Sequence, residues 1–501
     1  MLLDFYLNMG LKLSLPAINK KEVLYILLII LLSSIPRIWD LGYSHFYGDE
    51  IKVLYTDKSV PAVEFLMNQR KGPVQFITAW VMEKISSGYS EKIIRLPFAM
   101  AGIINVFLFY ILVKKLFGST SALISAYIFS LSGIQIAFSR TVQYQSFLLL
   151  FSFLSLIFLM DSDVKNVKLK YSLSSLFFPL ALFSHYDAVF ILIPMYFILR
   201  NTSNFNLKHF MYYFIIPSVL LLSVFYIPYV FKGYLSNNTI NYVARRITGQ
   251  EYKINNSIYT FYVYNPSIVY FIPIVSSLIY LLFNNNSDWK KRMLFSWFII
   301  TFFFFGTIVI NPGTHINNYL LPLYISTGPL LINILDKLKN YSKYFIYQIS
   351  IFTLSLLLLF ILFLSYLTFI PGLNRGYPFS NDTKYTFLRK IKKNSYHLYL
   401  YGFPYNRGWD QISEYIKKNG GTRGFYTNDD DDVASYYLLG YDFTPPGSNY
   451  LPDTYIDVIN NLEFKESDPL FISNYNKVTD IETEGKITAS IYKIKNNLRD
   501  K

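Results

Sequence analysis

Long apolar runs alternate with short polar loops from near the start of the chain to about residue 370. A helix needs roughly 17 to 25 apolar residues to cross about 30 Å of hydrocarbon, and by this measure the pattern predicts about eleven membrane spans. These spans are Val23–Trp39, Arg95–Phe117, Ser119–Phe138, Tyr144–Met160, Tyr171–Ser184, Asp187–Arg200, Met211–Phe231, Asn265–Phe283, Met293–Asn311, Tyr319–Leu335 and Phe345–Ile370. The expected fold is that of an α-helical polytopic membrane protein.

Two stretches between the first and second spans are amphipathic rather than uniformly apolar. Gly72–Ser87 contains an amide and two opposite charges, so it is too polar and too short to cross a bilayer. It is expected to form an interfacial or re-entrant helix, and Pro61–Arg70 a second interfacial helix. The loop over residues 40–94 is therefore predicted to be long and structured, as loops with a function often are.

The hydrophobic pattern changes after residue 370, where residues 371–501 are expected to form a small α/β domain behind a membrane domain of residues 1–370. An amphipathic helix around Trp409–Ile416 precedes three strand-like segments, which are Arg423–Tyr426, Leu470–Ser473 and Ala489–Ile494. The acidic run Asp429–Asp432 lacks the spaced ligands and the turn glycine of a calcium loop. A solvated helix start is favoured for it.

Composition supports a place in the membrane. Of 501 residues, 52% are hydrophobic and 16% charged, and no cysteine is present, which excludes disulfides and thiolate chemistry. The formal net charge of +14 would suit a nucleic-acid partner, but the Lys and Arg residues lie mostly in short loops between spans. No nucleic-acid binding is expected.

Charge also predicts the orientation. With the N-terminus in the cytoplasm, every inside loop is basic, as the positive-inside rule requires. These loops carry Lys12, Lys20 and Lys21; Lys114 and Lys115; Lys165, Lys168 and Lys170; Arg200 and Lys208; Lys290, Lys291 and Arg292; Lys337, Lys339 and Lys343. The first apolar run has no small-residue cleavage site and is expected to be a retained signal anchor. An odd number of spans puts the C-terminal domain outside a multi-pass protein of the plasma membrane.

Carboxylates and cations gather on the predicted outside face. Asp49 and Glu50 are adjacent just after the first span, Lys71 starts the re-entrant segment, Arg95 opens the second span and Arg140 follows the third. A carboxylate can take a proton or bind a metal, and cations stabilise a departing phosphate. Two acids in a polar loop can also be without function, and basic residues at helix ends commonly extend to the headgroups. Arg140 is the more persuasive cation, because the positive-inside bias disfavours it there.

A polar corner interrupts the apolar sequence between two predicted spans. The corner consists of His185, Tyr186 and Asp187. Burying such polar groups within a membrane costs free energy unless they are solvated or have a function. His185 could ligate a metal or bond an acceptor, and the alternative is a turn residue capped by Asp187. His315, close to Asn317 and Asn318, is a similar but weaker case.

Five short elements, taken in order, resemble the C-type membrane glycosyltransferases of the protein O-mannosyltransferase and aminoarabinose transferase group. The resemblance covers about Pro36 to Arg200. The elements are Asp49-Glu50, Lys71-Gly72-Pro73, Arg95-Leu96-Pro97, Lys114-Lys115-Leu116-Phe117-Gly118 and Ser139-Arg140. A later stretch, Asn318-Tyr319-Leu320-Leu321-Pro322-Leu323, is similar to another element of the group, which usually has Arg at the position of Asn318.

The resemblance implies a polyprenyl-phosphate sugar donor and a role for each matched residue. Asp49 would be the catalytic carboxylate and Glu50 its partner, while Lys71 and Arg140, with Arg95 close by, would hold the donor phosphate. Gly72 replaces the first proline of the usual Lys-Pro-Pro element. Arg70 stands where some members have a carboxylate proposed to help hold a metal, which leaves open whether a divalent ion (Mg, Mn or Zn) is needed.

The resulting hypothesis is an inverting glycosyltransferase. It would move a sugar from the polyprenyl-phosphate donor to a lipid, glycan or protein acceptor at the outer face of the membrane. The main alternative is a lipid or polysaccharide transporter, which usually carries polar groups at mid-membrane, and such groups are scarce here. A third possibility, a catalytically inactive assembly partner, is disfavoured because both carboxylates and both phosphate-holding cations are present.

Overall fold

The computed structural model describes most of the chain. The described residues are 19–69, 72–86, 88–160, 167–202, 205–241, 244, 257–283, 288–309, 313–341, 344–373, 376–379, 400–448, 450–463 and 465–495. Lys71, Arg70 and the predicted end of the ninth span at Asn311 lie outside them.

Helices account for the described chain up to residue 369, and each predicted span corresponds to a helix or to a bent succession of helices. In chain order they are α1 (Lys20–Ile38), α2 (Gly48–Ile51), α3 (Ala62–Met67), α4 (Pro73–Ser86), α5 (Glu91–Phe117), α6 (Ser119–Leu131), α7 (Gly133–Ser139), α8 (Gln145–Leu159), α9 (Val167–Ser184), the 3-10 helix Tyr186–Ile191, α10 (Leu192–Arg200), α11 (Leu207–Phe231), the π-helix Leu235–Ile240, α12 (Ser257–Tyr264), the 3-10 helix Ile268–Tyr270, α13 (Phe271–Phe283), α14 (Trp289–Ile308), the 3-10 helix Gly313–Ile316, α15 (Asn317–Tyr341) and α16 (Tyr344–Phe369).

Five of these helices are long and apolar enough to cross a membrane, namely α5, α11, α14, α15 with the turn before it, and α16. Two bent pairs of helices raise the number to seven if each pair is one span. They are α6 with α7, bent by 61°, and α12 with the helical segment Ile268–Phe283, bent by 111°. The protein is therefore a multi-pass membrane protein, while the predicted total of about eleven spans stays a prediction for the shorter helices.

Burial separates the central helices from the peripheral ones. In α11 and α16 only 22% and 17% of the most apolar stretch is buried, against 61% in α5. Without a hydrophobic drive between helices in lipid, central helices pack through small residues. Gly328 of α15 lies so close to the carbonyl of Ser121 in α6 that a Cβ at this glycine would clash, and its N–H donates to Ser125 at 2.9 Å.

The loop over residues 40–94 is structured as expected. It contains α2, α3 and α4, and the last two correspond to the predicted interfacial helices. Pro73, Phe76 and Ala79 of α4 are buried, whereas Ile77 and Ile85 are exposed. This amphipathic pattern suits a helix that lies at the membrane surface.

The C-terminal region forms an α/β unit around a mixed five-stranded sheet. The elements are α17 (Trp409–Lys418), β1 (Gly424–Thr427), α18 (Asp431–Tyr437), β2 (Asp442–Phe443), β3 (Thr454–Val458), α19 (Pro469–Asn474), β4 (Tyr475–Thr483) and β5 (Lys486–Ile494). The strand order is β2-β1-β3-β5-β4, parallel from β2 to β3 and antiparallel beyond. Trp409, Ile412 and Ile416 of α17 pack on the sheet, as the amphipathic pattern predicted.

One predicted strand is wrong. Leu470–Ser473 lies in helix α19, because Pro469 occupies the first helical turn and the carboxylate of Asp468 caps it by accepting from the Leu470 N–H at 2.9 Å. The acidic run does begin a helix, since Asp430 caps α18 by accepting from the Val433 N–H at 3.1 Å.

Candidate functional site

The Asp49-Glu50 pair sits in α2, a single helical turn that follows the first span. Its start is closed by Glu50, whose Oε2 accepts from the backbone N–H of Tyr47 at 2.9 Å. A glutamate at this position satisfies one of the N–H groups that a helix start leaves without a partner. The local sequence thus directs the two neighbouring carboxylates in different directions.

Glu50 is fully buried and fully bonded. Its two oxygens accept from Nε and a terminal nitrogen of Arg95, at 2.9 and 2.7 Å. The N–H groups of Tyr47 and Val142 donate to the same oxygens, at 2.9 and 2.7 Å. Because the carboxylate accepts four strong bonds and is 0% exposed, it ties the loop to the helices and has no surface for a substrate.

Arg95 is equally engaged. Besides Glu50, its terminal nitrogens donate to the carbonyl oxygens of Leu41, Ser44 and His45, at 3.1, 2.7 and 2.9 Å. All five guanidinium N–H groups have protein acceptors. In this arrangement Arg95 has no donor left for a phosphate oxygen, contrary to its predicted donor-binding role.

Asp49 lies on the accessible side of the same turn. Tyr401 donates its hydroxyl to Oδ2 at 3.0 Å, and the amide of Gln143 donates to the same oxygen at 3.4 Å. The ammonium of Lys52 is 3.8 Å from Oδ1, and a quarter of the Asp49 side chain is exposed. Bonds of this kind fix the direction of a carboxylate while leaving it within reach of a partner.

Arg140 is a buried cation held mainly by backbone. Its side chain is 4% exposed and donates to the carbonyls of Pro36, Trp39, Asp40 and Gly402, at 2.8, 3.0, 3.4 and 3.2 Å. Among the described residues no carboxylate lies within 4.0 Å of its guanidinium. Carbonyl dipoles orient the group but do not neutralise it, so a nearby anion would be stabilised.

The residues from 400 to 405 connect the two groups. Tyr401 bonds Asp49 and Gly402 bonds Arg140, while the carbonyl of Phe403 accepts from the hydroxyls of Ser44 and Tyr47 at 3.0 and 2.6 Å. This segment therefore forms one wall of the candidate site.

Gly72 borders the predicted donor-binding residue Lys71, which lies outside the described residues. Gly72 has a φ of +107°, and a Cβ there would clash with the carbonyl of Phe183 near the end of α9. Both facts require glycine. The glycine that departs from the usual Lys-Pro-Pro element is thus explained by the contact between this loop and α9.

A second cluster forms at the end of α9. Asp187 lies between two histidines, with Oδ1 3.1 Å from Nδ1 of His185 and Oδ2 2.7 Å from Nδ1 of His315. Asn318 donates its amide to Asp187 Oδ2 at 2.8 Å. The fold therefore brings together the two histidines that the sequence suggested separately, whereas Tyr186 contributes its ring, packed 3.8 Å from that of His185.

Sequence reasoning missed Tyr401, Gln143 and Lys52 as neighbours of Asp49. Lys52 is three residues from Asp49, so helical spacing could have indicated it. Tyr401 and Gln143 are far from Asp49 in sequence, and a single sequence gives no signal for such long-range contacts.

The C-terminal unit covers the loop that carries Asp49. The carboxylate oxygens of Asp430 lie 2.8 Å from where a Cβ would stand on Gly48, and Lys52 pairs with Asp432 at 3.0 Å. Burial raises the pKa of Asp430 to about 7, against the opposing effect of the bond from the Val433 N–H. The carboxyl at this contact is therefore kept partly protonated near neutral pH.

Comparisons with known proteins agree on the fold. Residues 70–229 match the family model of the dolichyl-phosphate-mannose-protein mannosyltransferases. ArnT from Cupriavidus metallidurans, bound to undecaprenyl phosphate, superposes with a TM-score of 0.56 at 11% identity, over 95% of this chain and 98% of that one. Its apo form gives a TM-score of 0.55 at 10% identity and the same coverage.

The archaeal oligosaccharyltransferase AglB from Archaeoglobus fulgidus, in complex with an inhibitory peptide and a dolichol-phosphate, gives a TM-score of 0.50 at 12% identity, over 86% of this chain and 62% of that one. No curated protein sequence matches the chain. The fold is that of these membrane glycosyltransferases, which confirms the resemblance seen in the motifs.

Proposed function

We propose that the protein is an inverting glycosyltransferase that takes its sugar from a polyprenyl-phosphate donor and passes it to a lipid, glycan or protein acceptor. The observation that carries the proposal is that one segment, residues 400–405, contacts both the accessible carboxylate of Asp49 and the buried cation Arg140, which has no acidic partner among the described residues. The family match and the similarity to ArnT support it, since both relatives are named for lipid-phosphate ligands or substrates.

The reaction follows from these positions. Asp49 removes the proton of the acceptor O–H or N–H as that atom attacks the anomeric carbon. The bond from this carbon to the phosphate oxygen breaks on the opposite face, so the configuration inverts. The electron pair leaves with the polyprenyl phosphate, whose charge Arg140 and Lys71 stabilise.

Glu50 and Arg95 act as positioning residues in this proposal. Their buried ion pair joins α2 to α5 and to the backbone of the loop, and so fixes the direction in which Asp49 points. The proposal therefore gives Glu50 and Arg95 a shared structural role, in place of the predicted catalytic role of Glu50 and the predicted phosphate contact of Arg95.

The orientation proposed from loop charges is N-terminus inside and C-terminal unit outside. Because the chain contains no cysteine, a single introduced Cys reports its own side of the membrane. A membrane-impermeant maleimide applied to intact cells should label Glu414→Cys and leave Lys20→Cys unlabelled. The reverse labelling would overturn the orientation.

The transfer reaction is tested with purified protein in liposomes, a panel of radiolabelled polyprenyl-phosphate sugars and a crude cell-envelope acceptor. Wild type should transfer label, and Asp49→Asn should lose about 10²- to 10⁴-fold of that rate while it still binds donor, because the amide keeps its neighbours but cannot take a proton. Label that crosses the bilayer without transfer in either protein would favour the transporter.

A further inference from the structure

The cluster at the end of α9 is built like a metal site. The three side chains His185, Asp187 and His315 place one ligand atom each within 4.8 Å of the others. Nδ1 of His185 also accepts from the backbone N–H of Asp187 at 3.1 Å, and the contact of 2.7 Å between His315 Nδ1 and Asp187 Oδ2 has the length of a hydrogen bond.

The charge of Asp187 has to be balanced inside the bundle. Asp187 is 3% exposed, and among the described residues no Lys or Arg nitrogen lies within 4.0 Å of its carboxylate. An unpaired buried carboxylate is strongly disfavoured. The balancing charge must therefore come from an imidazolium or from a bound cation.

The ligands are held in place before any ion arrives. The ring of His185 stacks on Tyr144 with centroids 3.7 Å apart, and His315 stacks on Phe305 at 5.4 Å. Asn318 donates to both Asp187 Oδ2 and the carbonyl of His315, at 2.8 and 3.0 Å. Partners that orient ligands in this way are typical of metal sites.

Asp187 and Asn318 also line a small internal cavity of about 20 Å³. Two buried polar groups in the same wall, Ser152 Oγ and Trp297 Nε1, have no hydrogen-bond partner. A cavity of this size holds one water molecule, which these groups would bond.

We propose that His185, Asp187 and His315 bind one divalent ion of the zinc class, with a water molecule in the adjoining cavity as a further ligand. Two imidazoles and one carboxylate suit zinc, and also cobalt as its spectroscopic substitute, better than magnesium or calcium, which prefer oxygen ligands throughout. Binding is independent of the proposed sugar transfer and is measured without it.

The test uses the full-length protein in detergent, stripped with a chelator and then dialysed against buffered zinc. Elemental mass spectrometry should find one zinc per chain in wild type. It should find the same in the control Asp431→Asn, which alters the acidic run Asp429–Asp432 of the C-terminal unit. Asp187→Asn and His315→Gln should lose at least about 100-fold in affinity, and Asn318→Ala about 10- to 100-fold. Elution volume and melting temperature of the stripped proteins report whether each variant is folded.

Cobalt gives a readout of direct coordination. His315→Cys would be the sole thiol of the chain, so a thiolate-to-cobalt charge-transfer band in this variant would show that position 315 binds the ion. A folded wild type that retains no zinc, or zinc that is lost in Asp431→Asn and kept in Asp187→Asn, would overturn the proposal.

Discussion

Two adjacent carboxylates have opposite environments in this protein. Glu50 is enclosed and accepts four hydrogen bonds, whereas Asp49, one residue earlier, is a quarter exposed and accepts from the hydroxyl of Tyr401. The difference arises because a single helical turn directs successive side chains about 100° apart. One residue can therefore anchor the turn while its neighbour faces the candidate site.

We expect Glu50→Gln to destabilise the folded protein by about 3–5 kcal/mol, because the substitution leaves the Arg95 charge buried without its acid. Thermal unfolding in detergent measures the change. Asp49→Asn is the matched control, since it removes a charge from the same turn at an accessible position and should leave the unfolding temperature nearly unchanged. Equal shifts in the two variants would contradict the division of roles.

At this scale the sequence shows that the two carboxylates are adjacent but not which environment each of them has. The adjacency of Asp49 and Glu50 was visible, and so was Arg95. That Arg95 bonds Glu50 and three carbonyls depends on a contact across 45 residues of sequence. Burial, which separates an anchoring ion pair from a reactive group, is set by such contacts and is not readable from spacing.

Among the elements, α9 and the loop before α4 constrain each other. The loop approaches the carbonyl of Phe183 so closely that only glycine fits at position 72. Two residues further along, the same helix end supplies His185 to the proposed metal site. The loop that leads to the proposed donor-binding residue Lys71 and the histidine cluster therefore share one support.

Gly72→Ala should weaken binding of polyprenyl phosphate by displacing the neighbouring Lys71, because the added methyl group meets the Phe183 carbonyl and the positive φ disfavours alanine. A binding titration with the phosphate lipid alone measures this effect. Gly118→Ala is the control, since its φ of +84° carries similar backbone strain but nothing lies within 4 Å of the added atom. A loss of equal size in both variants would point to strain rather than to the contact.

Hydrophobic pattern predicted the membrane helices well, because burial in lipid requires long apolar runs. It failed for Leu470–Ser473, where four residues of mixed pattern could form either a strand or a helix. The capping carboxylate of Asp468 and the proline after it favoured the helix. Short segments are decided by such end groups and by tertiary contacts, which an apolar pattern does not contain.

Across the whole molecule, the C-terminal unit is docked on the loop over residues 40–94 through Asp430. The carboxyl of Asp430 lies against Gly48, and its burial raises its pKa to about 7, above the usual value near 4. A raised pKa in the folded state means that the protonated form favours docking. The stabilisation is fully present below about pH 4 and is lost as the pH rises through about 7.

The unfolding temperature of the C-terminal unit should therefore fall between about pH 4 and 7 in wild type. Asp430→Asn should remove most of this fall, because asparagine caps the helix as well as aspartate does but cannot ionise. Differential scanning calorimetry across this range measures the effect, with the exposed Asp431→Asn as the control. An unchanged slope in Asp430→Asn would assign the pH dependence to other groups.

The wall formed by residues 400–405 has a consequence for how the protein is made. The ribosome produces Asp49 and Arg140 early, but Tyr401 and Gly402, which hold them, follow after the last long apolar helix. A nascent chain thus carries an incomplete centre throughout membrane insertion. Under the proposed function, sugar transfer can begin only once synthesis has passed this segment, so a half-made copy would leave lipid-linked sugar intact.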